Sequence, residues 1–399
     1  MVTLALTFLA TIVFEFTTNT TIQVLTTANL RDQMRAHFLA RSGANLGQLV
    51  IRVQTDVIDK FRQQIGDIQI ADYTSFFMGA FGGSKEEVQA LGELLGGFAG
   101  EDIKGLGVAA GTFDVEVTAE DGRINVNCAN GSADSKRNLK SQLDALFVHG
   151  AYDKLFQSES ADGWRRTREE QANAIIDYID RDQSLYLSPG TPEPYGYESL
   201  KDSYLPKNNY LDTVSEMKLI RGIDDRFWTL FGSNFSVYGD CRINLGAVRE
   251  PRLIASVLFL AARDPNDPVL RDPTGTKLWA LSNQVLQAGA LGGSFNDLRA
   301  FADFVENPAG LLGGLLSGAA GGETPSASGA GLVEGMELDQ AKLQQVAVIG
   351  PRRVYRVKVN AQVGRVQRNL DAVWDTSTVN QNARRPEYSR GAWVYWKEE

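Results

Sequence analysis

The sequence predicts an α+β protein in which one long N-terminal helix lies on an antiparallel sheet and a large, mainly helical insertion interrupts that sheet. Three observations carry this. Apolar residues recur at helical spacing, with no proline, from Met1 to about Ile65. Alternation with period two appears at Phe113–Val117 and returns from Arg353 to the end of the chain. Between those two stretches lie leucine- and isoleucine-bearing segments of helical period.

The 399 residues are 43% apolar and 22% charged, enough for more than one core. The net charge of -9 repels nucleic-acid phosphates and leaves no basic patch to track them. With only two histidines, His37 and His149, the chain is poor in the usual ligands of zinc and the usual acid–base side chain. Its two cysteines, Cys128 and Cys241, fit either two buried thiols or one disulfide, and an oxidising compartment favours the bond.

The first sixteen residues, MVTLALTFLATIVFEF, carry only Thr3, Thr7, Thr11 and Glu15 as polar groups. Threonine can return its hydroxyl to a helix carbonyl. At 1.5 Å per residue the run covers about 24 Å, short of the roughly 30 Å hydrocarbon core of a bilayer. No Lys or Arg precedes it. It fits a buried core helix, or a membrane helix whose first residues lie upstream. The amphipathic continuation favours the second reading. Ile22, Leu25, Leu30, Met34, Phe38, Leu46, Leu49, Ile51, Val53, Val57, Ile58 and Phe61 mark one face, and Arg31, Asp32, Arg35, Arg41 and Arg52 the other. Residues 1–65 are therefore expected as one stem helix.

Residues 66–130 are expected to hold a Gly-rich loop, a short helix near Lys85–Leu95, and a hairpin of FDVEV and GRINVNC turned at Glu120-Asp121-Gly122. Residues 131–305 read as the helical insertion. Leu139, Leu143, Leu146 and Phe147 mark one helix face, and Ala172, Ile175, Ile176 and Ile179 another. Pro189–Pro206 is expected to be irregular, with short helices at Val214–Ile220 and Phe227–Phe231. DCRINLG at 240–246 echoes DGRINVN at 121–127, and a leucine-bearing helix follows each copy. Residues 306–335 read as a flexible Gly/Ala/Ser segment, and residues 336–399 as the closing strands.

Several separated motifs carry a family resemblance. The stem segment LRDQMRAHFLARSGANLGQLVIR holds a small-residue patch. IIDYIDRDQSLYLSPGTPEPYGYES and LPKNNYLDTVSEMKLIRGI resemble the "D-W-I-D-x-D … G-A-E … Y-Y … N … E-L … V-x-G" pattern of protein K, the large minor pseudopilin of type II secretion systems. The matching residues are Asp177, Ile179, Asp180, Asp182, Gly190, Glu193, Tyr195, Tyr197, Asn209, Glu216 and Gly222. GRINVN and RINL are similar to the family's "I-N" strands. The pattern's tryptophan is Tyr178 here. Glu15 lies too deep in the run to be the glutamate most pilins carry near the processed end, and no peptidase site precedes the run.

The resemblance implies a pilin-like stem on an antiparallel sheet, anchored once in a bacterial inner membrane with its body in the periplasm. It implies a non-enzymatic role in initiating and capping a short filament, with I- and J-type minor pseudopilins, the major pseudopilin and the assembly platform as partners. It also implies calcium. Asp177, Asp180, Asp182 and Glu193 are the expected ligands, hard oxygen donors at a helix end and on the loop after it. The same residues fit a solvated acidic helix end. The carboxylate pairs lack the apolar pocket and clustered aromatics of a glycosidase. A type IV pilus minor pilin and a membrane-tethered hydrolase are the alternative functions.

Overall fold

The computed structural model describes residues 1–61, 69–74, 111–186, 188, 190–193, 195–200, 202–290, 295–308, 333–379 and 390–399. The expected helix near Lys85–Leu95 and most of the 306–335 segment lie outside them. The chain divides into two compact units. Unit 1 is drawn from Met1–Lys60, Gln69–Thr118 and Tyr355–Glu399, and unit 2 chiefly from Ala119–Val354.

Unit 1 is the stem and its sheet. Helix α1 spans Val2–Val53, which at 1.5 Å per residue is about 78 Å. A π turn over Gln54–Ile58 and a 3₁₀ turn over Asp59–Phe61 end it. Threonine hydroxyls at 7, 11, 17, 18, 20 and 21 donate to carbonyls one turn back, so these side chains add no unpaired donor to the apolar half. Its second half buries a stripe of small residues, Ala36, Ala40, Gly43, Ala44 and Gly47, with Leu39 and Ile51. These meet the four-stranded sheet of β1 (Gly111–Ala119), β6 (Val354–Val363), β7 (Val366–Val379) and β8 (Arg390–Glu398), ordered β1-β6-β7-β8.

The approach is close because the stripe lacks side chains. A Cβ at Gly43 would stand 2.6 Å from Val359 Cγ1, and one at Gly47 would stand 2.8 Å from Val357 Cγ1. Val115, Val357 and Val359 alternate with exposed residues along β1 and β6, as one buried sheet face requires. Strands β7 and β8 pair antiparallel, with a register shift between Val373 and Trp374. Gly391, at φ 85°, lies against the Trp374 ring, where a Cβ would come within 2.3 Å. Glu398 on β8 ties back to the stem through His37 and Arg41.

Unit 2 is inserted between β1 and β6, which are neighbours in the sheet. It holds α2 (Ala133–Phe147), α3 (Asp153–Gln157), α4 (Arg168–Ile179), α5 (Asp225–Phe231), α6 (Pro251–Ala261), α7 (Thr276–Ala290), α8 (Leu298–Glu306) and α9 (Gln340–Val346). The predicted faces are the buried ones: Leu139, Leu143 and Phe147 of α2 and Ala172, Ile175, Ile176 and Ile179 of α4 all sit at 0% exposure. Phe147 anchors a ring cluster with Phe156, Phe227 and Phe231.

The expected hairpin does not form. GRINVNC does not turn back on β1; instead β2 (Ile124–Asn125) pairs parallel with β3 (Phe235–Ser236) inside unit 2. Alternation reports that a strand has a buried face but not which strand lies beside it, and the partner here is more than a hundred residues on. The units accordingly part at Thr118–Ala119 rather than after residue 130, and residues 336–354 fall in unit 2.

The second Ile-Asn copy repeats the arrangement, because β4 (Ile243–Asn244) pairs parallel with β5 (Ala347–Val348). Asn125 and Asn244 hold the same backbone conformation, φ -80° with ψ 103° and φ -80° with ψ 102°. Each side chain accepts from the N–H two residues on and donates to a glycine carbonyl, Gly239 or Gly350. A 3₁₀ turn and then a buried helix, α2 or α6, follow each copy. The two turns touch, with Asn244 N–H donating to Asp121 O at 3.0 Å and Gly122 lying against the Ala247 carbonyl. Cys128 and Cys241 are joined as a disulfide, Cα atoms 5.7 Å apart, which staples the two copies together.

Candidate functional site

Two features stand out, one in each unit. In unit 1 the first half of α1 is apolar and almost wholly uncovered; Phe8 is 69% exposed and Leu25 64%. It is the helix among the described residues long and apolar enough to cross a membrane, and none of its most apolar window is buried.

In unit 2 the carboxylates gather at the end of α4. A capping box between Thr167 and Glu170 starts this helix, and its buried face fixes its position. Asp177 is fully buried near its last turn. Its Oδ1 accepts from Tyr186 N–H at 2.9 Å and its Oδ2 from the Tyr195 hydroxyl at 2.5 Å. The chain leaves the helix at Asp180, which is 1% exposed and accepts from Lys136 Nζ at 2.9 Å. Lys136 Nζ also stands 3.6 Å from Asp182, whose side chain is solvent-facing. A bridge between Ser184 and Pro192 closes the following loop and returns Glu193 towards the helix end.

The electrostatics show what this gathering costs. Burial, opposed by the bonds from Tyr195 and Tyr186, pushes Asp177 up to about 6. Burial likewise pushes Asp180 up to about 6 against the pull of Lys136. Burial, followed by the charges of Asp177, Asp180 and Asp182, pushes Glu193 up to about 8. Asp180 Oδ1 and Glu193 Oε1 are both buried without a hydrogen-bond partner. A buried carboxylate oxygen without a donor is costly, and mutual repulsion adds to that cost.

The structure thus brings three of the expected ligands, Asp177, Asp180 and Glu193, into one field and links Asp182 through Lys136. Among the described residues no three acidic side chains stand as a ready-made ligand set. Lys136 and Tyr195 were not foreseen as partners. Lys136 lies 44 residues before Asp180, so no local spacing could reveal it.

Residues 122–233, which contain α4 and this whole cluster, match the family model described as type II secretion system (T2SS), protein K. Over that segment the chain is similar to protein K of type II secretion systems. Among solved structures the chain is similar to one in the crystal structure of the GspK-GspI-GspJ complex from the enterotoxigenic Escherichia coli type 2 secretion system. The identity is 14% and the TM-score 0.44, over 73% of this chain and 80% of that one. No curated protein matches. The protein K match ends at Ser233, before the second Ile-Asn copy.

Proposed function

We propose that this chain is a minor pseudopilin of the protein K kind, which initiates and caps the type II secretion pseudopilus. The apolar half of α1 anchors the chain in the inner membrane and then enters the filament core, and the body lies in the periplasm. Its partners are I- and J-type minor pseudopilins, the major pseudopilin and the inner-membrane assembly platform. It acts by packing, without turnover and without nucleic acid.

The observation that carries this reading is the uncovered apolar half of α1, continuous with a half whose small residues seat it on a sheet. Such a helix needs neighbours or lipid along its length. Capping draws support from the inserted unit 2: a body of some 230 residues between adjacent strands β1 and β6 is bulk that would obstruct a further subunit. The test is position. A small epitope placed at Gly150, where an added side chain meets nothing within 4 Å, should label pseudopili at one end only. Labels spaced along the filament would overturn the proposal.

We also propose that Asp177, Asp180, Asp182 and Glu193 bind calcium. The fit rests on the unpartnered Asp180 Oδ1 and Glu193 Oε1 and on the all-oxygen donor set, which suits a hard cation. Bound calcium would supply the positive charge that Lys136 alone supplies only in part. Thermal unfolding of the full chain in detergent should shift upward with millimolar calcium, and Asp180→Asn should remove the shift. An unchanged midpoint in the wild-type chain would reject the site.

A further inference from the structure

Unit 2 contains a cavity of about 340 Å³ that neither the filament reading nor the carboxylates use. It lies between the end of α2, the turn after it, α6 and the start of α7. Leu146, Ala255, Phe259 and Leu278 form its apolar walls. Its polar groups are His149, Tyr152 and Arg252, with hydroxyls from Ser256, Thr274 and Thr276, and no carboxylate lines it. In a chain of net charge -9, that is a local inversion.

The three larger polar groups form a connected set. Arg252 Nε donates to the Tyr152 hydroxyl at 3.2 Å, which leaves the Tyr152 proton free to donate. His149 Nδ1 accepts from Ala151 N–H at 3.1 Å, so the neutral ring carries its proton on Nε2. That nitrogen borders Gly275, where a Cβ would clash with it. The Arg252 guanidinium lies 5.9 Å over the Trp279 ring, and Glu250 reaches one of its nitrogens only at 3.9 Å. Donors and a cation therefore cluster beside apolar walls, and the rim exposes Trp279 (41%), Val148 (42%) and Phe259 (38%).

Such a cavity suits a compact group with one anionic end and one apolar body. An internal Asp or Glu spends its own side chain on the carboxylate and must take its apolar group from another residue. A C-terminal residue carries its carboxylate on the same Cα as its apolar side chain. We propose that this cavity receives the C-terminal residue of a partner polypeptide, with its apolar side chain between Leu146, Phe259 and Leu278 and its α-carboxylate against Arg252. Arg binds carboxylates through paired N–H donors, and the apolar walls raise the worth of that pair by excluding water.

The test uses the full chain in detergent, labelled with 5-fluorotryptophan, with the Trp279 resonance assigned from Trp279→Phe. The probe is N-acetyl-Ala-Ala-Ala-Phe with a free C-terminal acid. It should move the Trp279 resonance, and its C-terminal amide should bind about tenfold more weakly or worse. Replacing the probe's Phe by Ala should cost a similar factor. Arg252→Gln should abolish the preference for acid over amide, and Ala255→Leu, which fills the cavity, should abolish binding while leaving the circular dichroism unchanged. Equal binding of acid and amide, a preference that survives Arg252→Gln, or no shift at about 10 mM probe would overturn the proposal. Free N-acetylphenylalanine binding as tightly as the tetrapeptide would overturn the polypeptide assignment.

Discussion

The two halves of unit 2 begin alike and are used differently. Each opens with an Ile-Asn strand, turns through an asparagine-capped 3₁₀ turn, sends out a buried helix and closes by parallel pairing with a strand about a hundred residues on. The first half matches the protein K model and carries the buried carboxylates, whereas the second lies beyond that match. The cavity draws its walls from the end of α2 in the first half and from α6 and α7 in the second. The lesson is that the turn is the repeated physical unit. Its asparagine satisfies backbone groups wherever it is placed, and the segments hung from it are free to differ.

The strongest way to test that pairing is to cut the staple. Cys128 and Cys241 are 113 residues apart, and a bond across so long a loop restricts the unfolded chain heavily. Cys128→Ser with Cys241→Ser should cost about 4 kcal/mol, read as a lower unfolding midpoint in urea. A loss below about 1 kcal/mol would mean that the halves hold together without it.

Next is the contact between the turns. A Cβ at Gly122 would lie 2.3 Å from the Ala247 carbonyl oxygen, a backbone atom with nowhere to move. Gly122→Val should therefore destabilise both halves together by about 3 kcal/mol, and Gly150→Ala, in open space, should cost almost nothing. If only residues near Gly122 lost amide-exchange protection, the halves would be independent rather than coupled.

The asparagines offer a finer comparison. Asn125→Ala removes one accepted and one donated bond, Asn244→Ala removes these and a second, longer accepted bond from Gly350 N–H at 3.4 Å, and each should cost about 1–2 kcal/mol. Equal losses sharpen the equivalence, and a large inequality breaks it.

The smallest expected effect concerns pH, and it should differ in sign between the halves. Burial holds Asp177 and Asp180 at about 6 and Glu193 at about 8 in the first half. Carboxyls raised on folding stabilise fully below their unfolded value of about 4, and that contribution is lost as pH rises through 6 to 8. In the second half, backbone N–H bonds hold Asp272 and Asp339 below the ordinary range, so their contribution is lost instead as pH falls below about 4. Between pH 5 and 8 the first half should dominate. The unfolding midpoint should drop on the alkaline side by about 1–3 °C, and Glu193→Gln or added calcium should flatten that drop. A midpoint that rises from pH 5 to 8 in the absence of calcium would contradict this ordering.

Much of this was legible in the sequence because it depends on local period. The buried faces of α2 and α4 follow from apolar spacing, and so does the stem, whose Gly43 and Gly47 lie in the small-residue patch read from the sequence. The hairpin reading failed at Gly122. A glycine after Glu120-Asp121 has the composition of a hairpin turn, but this one clears space for the backbone of Ala247. The Ile-Asn echo could be seen, but its pairing partners, Phe235 and Ala347, could not. The carboxylates were visible as types. Their environment depends on Lys136 and Tyr195, which only the folded chain brings near.

The place of unit 2 in the chain also sets a timetable. Strand β1 has left the ribosome long before its sheet neighbour β6 exists, because the whole of unit 2 must be made in between. At 5–20 residues per second that delay is roughly 10–50 s. For that interval the glycine stripe of the stem has only part of its seat, and the valines of β1 await the strand that will flank them. The newborn molecule therefore needs shelter for an unfinished surface, and the last few dozen residues decide when that need ends.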